Sequence, residues 1–225
     1  MVVESSLPKG SSPLQVALQA VLASIPVVGS ALEVSLSAYL QEKKEKRWRE
    51  FLSSLAEKLD HIDQAKVDSD YFQTDEFFDR MEVVYNDVIA FADSEKADYL
   101  RAYVIGCAQI AAPDTSWIEI YTQHLIRMTG AHLRCLHVVF KLQGQLSETE
   151  RFLQASDTVP LRAKRVQGEL GSQWDDDLVE IIFSDLVSFG LVRSRTNSAN
   201  EVEFGWSITN LGIKFMKFLD VELPR

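Results

Sequence analysis

A chain of 225 residues with 46% hydrophobic and 25% charged side chains, 10 Gly and 6 Pro is long enough for one large core or two modest ones, and too poor in helix breakers to be a linker or a disordered tail. Its formal charge of -10 sets the molecule as a whole against phosphate, so affinity for nucleic acid or anionic lipid requires a local basic patch. The two cysteines, Cys107 and Cys135, fall inside apolar helical stretches and read as small buried hydrophobes of a reducing, cytoplasmic compartment rather than as a disulfide framework.

Residues 1–12 are rich in Ser, Pro and Gly without periodicity and read as a mobile arm. Ser12 followed by Pro13 starts a helix, because Pro is tolerated in the first turn, where its missing N–H has no partner to lose. That helix is expected to reach about Ser24, to be broken at Pro26 and Gly29, and to be followed by a second helix from about Ser30 to Ile62. No charged residue occurs from Ser12 to Leu32. Glu4 and a single Lys9 before this run argue against a cleaved leader, despite the small residues Gly29, Ser30 and Ala31.

The uncharged run has the length of a membrane span, and the cluster Lys43, Lys44, Lys46, Arg47, Trp48 and Arg49 after it would suit a headgroup interface with an aromatic anchor. Three features oppose that reading. Gln15, Gln19, Ser24 and Ser30 dilute the apolarity, the "IPVVG" stretch around Pro26, Val27, Val28 and Gly29 cuts the run in two, and Glu42, Glu45 and Glu50 offset three of the five cations. A hairpin buried inside a helical bundle is therefore the expectation, with insertion of residues 12–40 into a membrane as the alternative.

Next, Asp70 and Thr74 are cap candidates for a helix whose core face carries Phe77, Phe78, Met81, Val84, Tyr85, Val88 and Ile89. Ser94 begins a fourth helix, with Ala97, Leu100, Val104, Cys107 and Ala108 on one side and Pro113 beyond its end. Ser116 with Glu119 has the spacing of a capping box, opening one or two helices with a break at Gly130. From Ser147 the pattern shifts to short elements. Ser147 and Glu150 head one helix, a second follows Pro160, and a third is "WDDDLVEIIFSDLVSFG", acidic at its start and closed by Gly190. Two strand-like runs, "LVRSRT" and "EVEFGWSIT", flank the turn residues "NSAN", and a last helix is capped by Thr209 or Asn210.

Three short helices, a two-stranded wing and a closing helix, with Leu178, Ile182, Leu186, Leu191 and Val192 leading into the wing and "SITNLGIKFMKFL" ending it, resemble a winged helix-turn-helix domain over about 147–222. The preceding part is similar, more loosely, to helical segments of uncharacterised bacterial and phage proteins that pair an apolar "IPVVG" stretch with a charged helix. The resemblance implies a third helix laid against DNA, where Arg and Lys contact phosphates and base edges. Here that helix has no Lys or Arg from Trp174 to Gly190 but carries Asp175, Asp176, Asp177, Glu180 and Asp185. Trp174 and these five acids are instead the candidate partner surface. Arg162, Lys164, Arg165, Arg193 and Arg195 form a candidate nucleic-acid patch, although residues 146–225 hold 9 basic against 13 acidic side chains.

Other chemistries lack their motifs. His132, Cys135 and His137 look like zinc ligands, yet at 100° per residue His137 lies about 200° round a helix from Cys135. Asp75, Glu76 and Asp79 lack the Glu-x-x-His partners of a di-metal bundle and read as a solvated helix start. There is no G-x-S-x-G, P-loop or G-x-G-x-x-G sequence, so no catalytic residue, cofactor or metal is assigned.

The expected molecule is mainly α, with an N-terminal bundle over residues 13–145 and a winged-helix-like α+β domain over 146–225. Its expected role is that of a non-enzymatic interaction or regulatory protein of a bacterial or phage system, with a protein partner or a second copy held by the winged helix. The alternatives are a membrane-perturbing effector and a DNA-binding regulator.

Overall fold

Eight α-helices and a small antiparallel sheet make up the regular structure of the computed structural model, which describes residues 36–90, 93–145, 161–171, 174–196 and 204–219. The arm over 1–12, the turn at Pro26, Val27, Val28 and Gly29, the helix headed by Ser147 and the "NSAN" turn lie outside the described residues. Contacts divide the chain into two compact units, Met1–Ile118 and Glu119–Arg225. The expected boundary at 145/146 lies inside the second of these.

In the first unit, α1 (Leu36–His61) buries Trp48, Phe51, Leu52, Leu55 and Leu59, a stripe repeating every three or four residues. Two 3-10 turns, Gln64–Lys66 and Tyr71–Gln73, lead to α2 (Asp75–Ala90). Its start is fixed by Thr74, whose Oγ1 accepts the Phe77 N–H at 3.2 Å. The Asp93 carboxylate caps α3 (Ser94–Cys107) by accepting the N–H groups of Glu95 and Lys96. Helix α3 is apolar over most of its circumference, and Leu100, Ala102, Tyr103, Val104, Ile105 and Cys107 are all buried. It packs on both α1 and α2.

Helix α4 (Thr115–Arg127) starts one residue before the expected capping box. The Asp114 carboxylate, not Ser116, accepts the Trp117 N–H at 3.2 Å, since an acid just ahead of the first turn reaches the free donors that Ser116, already helical, cannot. The break expected at Gly130 is present. Helix α5 (Gly130–Gly144) begins there, with Thr129 and His132 exchanging cap hydrogen bonds.

The second unit is built around α5, whose Leu133, Cys135, Leu136, Val139 and Leu142 are buried. Helix α5 packs on α6 (Ala163–Leu170), α7 (Asp176–Ser188), α8 (Asn210–Leu219) and the sheet. The expected pair of strands is present, and among the described residues a third, two-residue strand joins it. Strand β3 (Phe204–Ile208) pairs with β2 (Val192–Thr196) on one side and with a two-residue β1 (Leu161–Arg162) on the other, all antiparallel. At Gly212 a Cβ would collide with the Leu191 carbonyl oxygen and the Ile208 side chain, so only glycine allows α8 to lie this close to the start of β2. Thr209 seals the same junction, with its Oγ1 donating to Gly190 O and accepting from Gly212 N.

A candidate partner-binding face on helix α7

The Asp175 carboxylate sets where α7 starts, accepting the N–H groups of Asp177 at 2.8 Å and Leu178 at 3.4 Å. Gly190, at φ 72°, ends the helix in the left-handed conformation, and Leu191 N–H returns to Leu186 O at 3.1 Å. Between these caps the inner face buries Val179, Ile182, Phe183 and Leu186. Phe183 stacks on Trp206 of β3, with ring centroids 3.9 Å apart and planes within 14°.

Seven of the thirteen residues of α7 are apolar, more than one face can hold. Leu178, Ile181 and Val187 are left outside, at 46%, 61% and 37% exposure. Ile181 is the centre of this outer face. Asp177 and Leu178 lie one turn before it, and Ser184 and Asp185 one turn after.

The acids on this helix have separate duties. Asp175 is spent on the cap, Asp176 accepts from Gln167 Nε2 at 2.8 Å, and Asp185 Oδ2 lies 3.2 Å from His132 Nε2. Trp174 is half-buried, with the Arg134 guanidinium 5.8 Å from its ring centre. Asp177 and Glu180 are exposed and make no side-chain ion pair or hydrogen bond among the described residues. Leu178, Ile181 and Val187 were not among the candidate surface residues drawn from the sequence. The excess of apolar positions on a thirteen-residue helix was the signal for them.

Three residues of the candidate basic patch lie on the sheet. Arg162 on β1 and Arg195 on β2 both stand opposite Gly205 of β3, and Arg193 pairs with Ser207. Arg165 and Arg193 are exposed, while the side chains of Arg162, Lys164 and Arg195 lie outside the described residues.

The cluster read as a membrane interface is distributed differently. Trp48 is 1% exposed, stacked on Phe51 at 5.4 Å and edge-on to Tyr85 at 5.2 Å, so it is a core side chain and not an interfacial anchor. It continues the stripe of Phe51, Leu52, Leu55 and Leu59, which is what draws it inward. Arg47 donates to Ile89 O at 3.1 Å, Lys46 pairs with Glu50 and Arg49 with Glu45, and Lys43 lies over the Tyr39 ring. Lys44 is half-buried. No described helix is long and apolar enough to cross a membrane.

The first unit holds a cleft of about 380 Å³ between α1, α2 and α3. At its floor Lys96 Nζ lies 2.6 Å from Asp87 Oδ2, with both side chains almost fully buried. The other cations of the cleft are engaged as well, Arg47 by the Ile89 carbonyl and Arg101 by Asp98 at 2.9 Å. At the far end of α3, burial pushes the Cys107 thiol up to about 12, which leaves it without thiolate character at neutral pH. Cys107 and Cys135 are both free and buried. Among the described residues no group of three or more His, Cys, Asp or Glu side chains is placed to hold a metal ion.

Fold and site together define a mainly α-helical protein with a small antiparallel sheet in its C-terminal part and an acidic, partly apolar helix face exposed there. No protein-family model, curated protein or solved structure matches the chain.

Proposed function

We propose that this chain is a non-enzymatic interaction protein of a bacterial or phage regulatory system, and that its C-terminal unit is a winged-helix-like module that docks onto protein through α7. The run β1, α6, α7, β2, β3, with sheet order β1-β3-β2 and a closing α8, supports the winged-helix comparison. One observation carries the protein-docking reading. The helix that would enter a DNA groove has no Lys or Arg from Trp174 to Gly190 and instead exposes Leu178 and Ile181 beside Asp177 and Glu180, which make no side-chain pair among the described residues. Phosphate repels such a face, while apolar side chains at its centre favour a protein surface.

DNA binding is the second reading, favoured by the register that sets Arg162 and Arg195 on either side of Gly205. The two separate in a titration of labelled mixed-sequence duplex with the full chain at about 50 mM salt, where phosphate contacts are strong. Protein docking predicts no saturable binding. Salt-sensitive binding that disappears in the Arg193→Ala/Arg195→Ala variant would replace it with the DNA reading.

A further inference from the structure

The outward face of α7 has a composition that selects among protein partners. It is a convex helix surface whose backbone N–H and C=O groups are spent within the helix and its caps, so an extended peptide would find no ladder to join. What remains is side-chain packing, and its apolar centre is small: Leu178 and Ile181, one turn apart. The charge around that centre has one sign. Asp177 at the helix start is favoured there by the macrodipole and Asp185 lies against His132, but Glu180 lies beyond the first turn, where neither benefit accounts for it.

Resting on the protein-docking reading, we propose that this face binds a cationic amphipathic helix of a partner protein. The partner's apolar residues pack over Leu178 and Ile181, and flanking Lys or Arg side chains pair with Asp177 and Glu180. A second copy does not fit the same face. A two-fold contact sets one patch against itself, and Asp177 and Glu180 would meet like charges. An anionic lipid surface is excluded by the same sign.

The test uses a fluorescein-labelled 14-residue Leu/Lys amphipathic helix titrated with the full chain, alongside Leu/Gln and Leu/Glu peptides of the same pattern. Binding of the Leu/Lys peptide is expected to weaken about tenfold in Ile181→Ser and severalfold in Glu180→Gln. It should be unchanged in Ile110→Ser, an apolar residue 69% exposed in the first unit, and in Glu57→Gln, an exposed acid of α1. Equal weakening in Glu57→Gln and Glu180→Gln, with Ile181→Ser silent, would show attraction to the net charge alone and overturn the proposal. Were the Leu/Gln peptide to bind in an Ile181-dependent way while Leu/Lys did not, the docking face would stand and the cationic partner would fall. Indifference of all three peptides to Ile181→Ser would remove both. Circular dichroism of each variant separates loss of binding from loss of fold.

Discussion

The two units treat charge differently, although both leave some apolar side chains exposed. The first draws charge inward, burying the Lys96–Asp87 pair between α2 and α3 and engaging Arg47, Lys58 and Arg101 across or along its helices. The second packs an interior of aliphatic and aromatic residues around α5 and leaves apolar side chains outside, on α7. A buried ion pair contributes little net stability but is costly to break, whereas an exposed Leu or Ile contributes little to the fold and much to an interface.

The largest expected effect tests the buried pair. Lys96→Met leaves the Asp87 carboxylate buried without its cation, and should lower stability by about 3–5 kcal/mol. Hydrogen exchange should rise throughout α3, while the Asp87→Leu/Lys96→Met double variant should recover most of the loss. Full loss in the double variant would mean that the site needs the charges themselves.

An intermediate effect comes from Asp98. Burial pushes its carboxyl up, but hydrogen bonds from Arg101 and Lys58 outweigh burial and hold it below the ordinary carboxylate range. A lowered folded value means that this contribution is present at neutral pH and is lost as the pH falls below about 3.9, the value of an unperturbed aspartate, through the folded one. Lys58→Met should shrink that acid-limb loss in urea titrations taken from pH 5 downward. Since Asp98 is half exposed, solvent screening keeps the change small.

The smallest expected effect lies on the other side of the comparison. Ile181→Ser removes an apolar group that the fold does not bury, and stability should move by no more than about 0.5 kcal/mol. A larger loss, measured by denaturant midpoint, would mean that Ile181 supports the fold.

Much of the helical layout could be read from local signals. Asp93, Thr129, Asp175 and Gly190 mark helix ends by side-chain chemistry or backbone sign, and those marks need no knowledge of the rest of the chain. Three features depended on distant residues. Strand β1 is two residues long and exists only because β3 lies beside it. Trp48 was read with its charged neighbours in sequence, but its neighbours in space are Phe51 and Tyr85. The Lys96–Asp87 pair joins two helices whose sequences give no sign of each other.

On the candidate face the acids were legible as composition. Which of them are free was not, because the partners of Asp176 and Asp185 are Gln167 and His132 from other helices. Leu178 was legible only as one apolar position of the helix leading into the wing, since periodicity alone cannot say which half of a broad apolar arc is covered.

The stacking of Phe183 on Trp206 gives the protein an optical handle. Trp206 is nearly buried and lies directly behind α7, on the side away from solvent. A ligand that tilts or clamps this helix from outside changes the overlap of the two rings without touching either one. Trp206 emission, isolated by replacing Trp48, Trp117 and Trp174 with Phe, would then report occupancy of the outer face in unlabelled protein.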